Sequence, residues 1–178
     1  MQINRFLTGV TLCGLAFLSS GCSNSPTSPS GPLPVVAGRW EGQFKVVECA
    51  RVSGEGPSTC RSLLNLVGPI QLRLEQRSAS LAGDLSLYGS TSTKPVSGPI
   101  HGKVVSKVVP VVRIGGTLRQ PEHAIEIRLV EWQTPLAESD SDTIAGRYRI
   151  RRTFDNAFGR QAYDEMHEIQ TLKRIAAQ

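Results

Sequence analysis

Aromatic residues are scarce in this 178-residue chain, at 6%, and it holds three histidines, two methionines and two tryptophans. No Gly-x-Ser-x-Gly elbow, glycine-rich phosphate loop or His-Glu-x-x-His pair occurs. Their absence removes the hydrolase, nucleotide and zinc-protease patterns that a sequence can announce. The histidines His101, His123 and His167 are scattered and make no zinc spacing with any cysteine, so neither a metal nor a cofactor is expected. No apolar run approaches the ~20 residues of a spanning helix. Charge of one sign is also lacking, with 20 basic against 15 acidic residues and a net charge of +5. So small and evenly spread a surplus suits an anionic membrane surface or anionic glycan better than nucleic acid, and no nucleic-acid partner is expected.

What is present first is a leader. Arg5 supplies a positive start, residues 6–18 form a short apolar run, and Leu18-Ser19-Ser20-Gly21-Cys22 follows. The run fits the hydrophobic region of a secretory signal. With export, the four cysteines do not reduce to two pairs. Cys13 leaves with the signal, and Cys49 and Cys60 remain in an oxidising compartment, where a disulfide between them is expected.

The Leu18–Cys22 stretch resembles the lipobox of bacterial lipoproteins, although Ser19 stands where that family prefers Leu. The resemblance implies cleavage before Cys22 and a diacylglycerol on its thiol, hence a membrane partner through an N-terminal lipid anchor. The alternative is an ordinary signal peptide cut near Ser20 or Gly21. Ser23 after the cysteine, by resemblance to enterobacterial sorting, implies the outer membrane of a bacterial cell envelope, facing periplasm or exterior. Residues 23–34 read SNSPTSPSGPLP, a composition that cannot bury enough to fold. The expected organisation is a signal over 1–21, a Ser/Pro tether over 22–36 and one domain over 37–178.

From Gly38 the texture is period two. Trp40, Phe44 and Val46 share one parity, with Arg39, Glu41, Gln43 and Lys45 on the other. The same alternation runs through Ile70–Leu74, Leu81–Leu87, Val96–Val104, 107–118 with a bend near Pro110, Ile125–Leu129 and Ile144–Ile150. Gly54, Gly56 and Pro57 interrupt it, and a helical turn is expected over 61–66. Acidic residues 138–142 and residues 156–159 read as turns. In 161–175, Tyr163, Met166, Ile169, Leu172 and Ile175 recur every three residues, which suits a helix. Closure of seven preceding strands favours an eighth strand instead. The fold class expected is all-β, a single antiparallel up-and-down barrel of about eight strands, whose inward faces are almost wholly apolar.

Gly38-Arg39-Trp40 resembles the Gly-x-Trp that opens lipocalins and related calycin barrels. The resemblance implies a Trp plugging one barrel end, with an Arg of the last strand lying across it, a part that Lys173 or Arg174 could play here. Residues 80–87 resemble the Leu-x-Gly-x-Leu-x-Leu strands of barrels on bacterial lipoproteins of unassigned role, which implies architecture and no activity. Arg147, Arg149 and Arg151 form a candidate anionic-partner stripe on one face; the bland reading is a solvated wall paired with acids such as Glu41 or Glu165. Asp164, Glu165, His167 and Glu168 crowd together. On a strand Glu165 and His167 share a face, and on a helix Asp164, His167 and Glu168 do. No nucleophile is tied to them, so a solvated charged face and no catalytic residue are expected. Two roles follow: a structural or interaction protein with a filled barrel, or a binding module for a small hydrophobic ligand in the barrel mouth.

Overall fold

The structure, a computed structural model, describes residues 33–89, 94–105, 111–135 and 142–176. The expected leader with Cys22, most of the expected tether, the bend expected near Pro110 and residues 138–141 of the expected acidic turn lie outside them. Eight antiparallel strands run in order and close on themselves: β1 (Gly38–Ser53), β2 (Val67–Arg77), β3 (Ser80–Leu87), β4 (Val96–Val104), β5 (Val111–Gln120), β6 (Ile125–Pro135), β7 (Gly146–Asn156) and β8 (Gly159–Ile175). A single helical turn, α1 (Cys60–Leu63), and a 3-10 turn (Pro121–His123) are the described helical pieces. The final segment is therefore a strand, and β8 pairs with both β7 and β1.

Alternation fixes which side chains fill the barrel. Trp40, Phe44, Ile70, Leu72, Leu85, Leu87, Ile100, Ile127, Tyr148 and Ile150 are buried in one cluster, with Ile125 packed at its margin. Gly83, Gly98 and Gly102 share the inward parity. A Cβ at Gly83 would stand 1.8 Å from the Arg73 carbonyl oxygen, and one at Gly102 2.0 Å from that of Arg113. Only glycine lets β2–β5 approach and coil this tightly. Two pairing irregularities move the parity elsewhere. One between Gln43 and Phe44, opposite Ile169 and Thr171, lets β8 bury Ile169 and then Leu172. Another between Leu129 and Glu131 brings Trp132 inward after Leu129.

Both barrel ends are covered. At one end Trp40 is fully buried, and its indole N–H donates to the Val36 carbonyl at 3.1 Å. The Arg174 guanidinium lies over its ring, 4.8 Å from the centroid, which is the packing the Gly-x-Trp resemblance implies. Val36 itself is fully buried, its N–H held by Gln76 Oε1 at 2.7 Å, so the domain takes in a residue expected in the tether. The apolar Leu33, Val35 and Val36 give that stretch a surface to bury, which the Ser/Pro residues before it lack.

At the other end residues 54–66 fold back over the barrel. Gln161 Nε2 donates to the Glu55 carbonyl at 2.8 Å, the Thr59 N–H donates to the Tyr163 hydroxyl at 3.2 Å, and Val46 exchanges backbone hydrogen bonds with Asn65 and Leu66. The Cys49–Cys60 disulfide staples this loop to β1. Closing so short a loop restricts the unfolded chain by about 2.5–3 kcal/mol. Reduction, or a Cys49→Ala/Cys60→Ala pair, is expected to lower stability by that amount in a denaturant titration while the far-ultraviolet spectrum keeps its β signature.

Candidate functional site

The interior departs from the apolar filling expected of it. Glu165 and His167 lie on the inward face of β8, between Tyr163 and Ile169, and their side chains are fully buried. The expectation that they belong to a solvated charged face fails because β8 is a strand: its parity sends Asp164 and Glu168 to the wall and Glu165 and His167 into the barrel. β7 brings two partners by the same alternation, since Tyr148 and Arg152 share the inward parity of Ile150.

These four side chains form one chain of contacts. Arg152 grips Glu165 with two parallel bonds, Nε to Oε1 at 2.6 Å and a terminal nitrogen to Oε2 at 3.1 Å. Glu165 Oε2 lies 2.8 Å from His167 Nε2, and His167 Nδ1 lies 3.0 Å from the Tyr148 hydroxyl. Phe44 stacks on the imidazole at 4.6 Å between centroids, and Trp132 stacks on Tyr148 at 4.7 Å.

Protonation follows from chemistry. Burial alone would raise the Glu165 pKa, but hydrogen bonding to His167 and the charge and hydrogen bonds of Arg152 outweigh it and bring it to about 2. An ionised carboxylate only accepts, so His167 Nε2 carries the proton. Burial holds the His167 pKa below its ordinary 6.5, opposed by Glu165, and the ring is neutral at pH 7. Nδ1 then accepts from the Tyr148 hydroxyl, whose own pKa burial and then the Glu165 charge push well above 10.0. The group is thus one bidentate ion pair capped by a neutral hydrogen-bonded relay. Both imidazole nitrogens are engaged, so His167 has no free position from which to act on a substrate. Its place is structural: it donates a third hydrogen bond to a buried carboxylate already held by Arg152.

The remaining sequence candidates sit on the surface. Arg147, Arg149 and Arg151 do share the outer wall of β7, as the parity predicts. The acids beside them are not Glu41 or Glu165. Arg147 bonds Glu168 at 3.0 Å and Arg151 bonds Asp164 at 2.7 Å, while Arg149 stands opposite Glu131 and Met166. Glu165 is unavailable because it faces inward to Arg152. Cys22 lies outside the described residues, and Gly38 carries a positive φ at the mouth of β1. Among the described residues no cluster of His, Cys, Asp and Glu could hold a metal ion.

Sequence reasoning missed Arg152 and Trp132. The signal for Arg152 was its parity with Tyr148 and Ile150; Trp132 was hidden by the bulge. Near the loop-covered end Gln161 Oε1 and Gln120 Nε2 are buried without a hydrogen-bond partner among the described residues, so polar groups join the apolar Leu118 and Ile127 in lining this end. Comparison of the chain with protein-family models, with curated proteins and with solved structures gives no match.

Proposed function

We propose that this is a lipid-anchored protein of the bacterial cell envelope whose barrel is a filled scaffold, acting through its outer surface rather than through a ligand held inside or a reaction. The observation that carries this reading is that both ends are covered by the chain itself while rings and a buried ion pair fill the space between. Trp40 with residues 33–37 lies over one end, and the disulfide-stapled loop lies over the other. An eight-stranded barrel either fills with side chains or holds one small ligand. Here Trp40, Trp132, Tyr148, Tyr163 and Phe44 are all fully or almost fully buried within it.

The hydrophobic-ligand reading is weakened by the polar lining of the loop-covered end. An apolar guest there would lie against Gln161, Gln120 and the Arg152–Glu165 pair. The absence of turnover is inferred from His167, whose nitrogens are spoken for.

Two measurements test the reading. Radiolabelled fatty acid is expected to enter the protein in growing bacteria and to be lost in Cys22→Ala, with the variant released from the membrane fraction or left unprocessed. Undiminished labelling of Cys22→Ala refutes the anchor. A thermal-shift screen of fatty acids, quinones and isoprenoids is expected to leave the melting temperature in place, since a ligand bound to the native state would raise it by mass action.

A further inference from the structure

The barrel wall carries a row of exposed cations that a linear reading does not bring together. On most of the outer surface basic residues stand across the strands from acids. Arg73 faces Asp84, Arg119 faces Glu126, Glu41 faces Lys173, and Arg147 and Arg151 face Glu168 and Asp164. Arg39 also faces Arg73 and Arg128 faces Arg151, but in each of these pairs one member has an acid on its other side, Asp84 beside Arg73 and Asp164 beside Arg151. One row has none. At the Trp40 end Arg77 pairs with Ser80, Ser80 with Lys103, Lys103 with Arg113, and Arg113 with Gln133. Five strands thus contribute to a row with three cations and no acid, while the exposed Asp142 at the same barrel end is held by Arg174.

All three are exposed, and none makes an ion pair among the described residues. Lys103 and Arg113 lie directly opposite each other, an arrangement that is unfavourable without a counter-charge.

The chain's own N-terminal segment leaves from this same rim. Gln76, next to Arg77, holds the Val36 N–H and donates to the Pro34 carbonyl at 3.1 Å, so residues 33–37 run beside the β2–β3 turn. Val35 and Val105, at 62% and 37% exposure, add apolar tips at that end. Between Cys22 and Leu33 lie ten residues rich in Ser and Pro. Such a tether spans at most about 40 Å and keeps the rim near whatever surface holds Cys22.

We propose that the Arg77–Lys103–Arg113 rim docks on the anionic lipid headgroups of the membrane that carries the anchor, setting the Trp40 end down and the disulfide loop outward. The choice of surface rests on the anchoring reading above; the charge row does not. Each basic residue near an anionic bilayer contributes about fivefold in binding, so the three together account for about a hundredfold. The attraction acts within about a Debye length, ~10 Å at 0.1 M salt, which is why the tether's proximity matters.

The test separates the rim from the anchor by using the chain from residue 22 with Cys22→Ser, which contains the whole closed barrel and its tether but no lipid. Sedimentation with vesicles of phosphatidylcholine alone is compared with an equimolar phosphatidylcholine–phosphatidylglycerol mixture, at low and high salt. Binding to the mixed vesicles alone, lost at high salt, is expected. Arg77→Gln/Lys103→Gln/Arg113→Gln is expected to bind about a hundredfold more weakly. The Arg147→Gln/Arg149→Gln/Arg151→Gln variant, with the same change in net charge, is expected to bind like the parent. Both variants alter exposed positions, so their melting curves are expected to match the parent's, and Lys103→Gln alone repeats the test with one change. The proposal is overturned if the parent ignores anionic vesicles, if the rim variant binds unchanged, or if both variants weaken equally. Retention on a sulfated polysaccharide without vesicle binding also overturns it and assigns the rim to a glycan. Fatty-acid labelling of Cys22 reports on the anchor separately.

Discussion

Trp40→Ala is expected to destabilise the barrel by about 3–5 kcal/mol, the cost of emptying a large aromatic site that cannot collapse. For a domain of this size the melting temperature should fall by about 10 °C. Three things fail together. The ring leaves the core cluster, the Val36 carbonyl loses its donor, and Arg174 loses the face it covers. Residues 33–37 should then come away from the barrel end, and limited proteolysis is expected to cut near Val35 in the variant and not in the parent. An unchanged melting temperature would mean that Trp40 does not close this end.

Removing the buried carboxylate should cost as much by a different mechanism. Glu165→Ala leaves Arg152, only 16% exposed in its side chain, without its bidentate partner, and strips His167 Nε2 of its acceptor. Breaking a buried pair from one side typically costs about 3–5 kcal/mol, mostly from the charge left behind. The double variant Glu165→Leu/Arg152→Met is expected to recover part of that loss, because it removes both charges at similar volume. Urea titrations of the single and double variants decide the point, and equal losses in the two would refute the pairing argument.

The same network fixes the response to pH. Glu165 titrates near 4.5 when unfolded and at about 2 when folded, so its contribution is complete above 4.5 and disappears as the pH falls toward 2. A shift of that size is worth about 3 kcal/mol. His167 acts in the same direction. The unfolded chain takes up a proton near pH 6.5 while the buried ring resists it, so stability begins to fall below that pH. The expected profile is a plateau above pH 7, a shallow decline through pH 6 and a steep one below 4.5. His167→Gln should lose the first of these steps and keep the second.

Much of this architecture was legible because alternation is a strong signal where one face of each strand is wet. Trp40, Phe44 and Val46 against Arg39, Gln43 and Lys45 suffice to place β1 and its buried face. Legibility failed where the pairing is irregular. The slip opposite Gln43 and Phe44 moves Leu172 onto the face of Ile169, and with the wall residue Met166 falling midway between Tyr163 and Ile169 the segment reads as an apparent period of three. The slip after Leu129 did the same to Trp132. The buried ion pair was half visible, since Glu165 and His167 share a parity with Tyr163 and Ile169 on any strand reading. What the sequence could not convey is that Arg152 comes from the neighbouring strand to meet them, for cross-strand register is a property of the closed sheet. The rim is a stronger case: Arg77, Lys103 and Arg113 lie far apart in sequence and become one row only through three successive registers. The run at Arg147–Arg152 is the densest basic stretch of the sequence, yet acids face it on the neighbouring strands.

The central claim is a closed barrel whose interior is filled and latched by a neutral, fully engaged His167. The most direct measurement is the imidazole nitrogen NMR spectrum of the protein as a function of pH, with exposed His101 and His123 as comparisons in the same sample. The expected spectrum shows His167 as the Nε2-protonated neutral tautomer, with an exchange-protected proton, kept below pH 6.5 for as long as the fold persists. A His167 ring that exchanges freely and gains a proton near pH 6.5 while the barrel stays folded would contradict it.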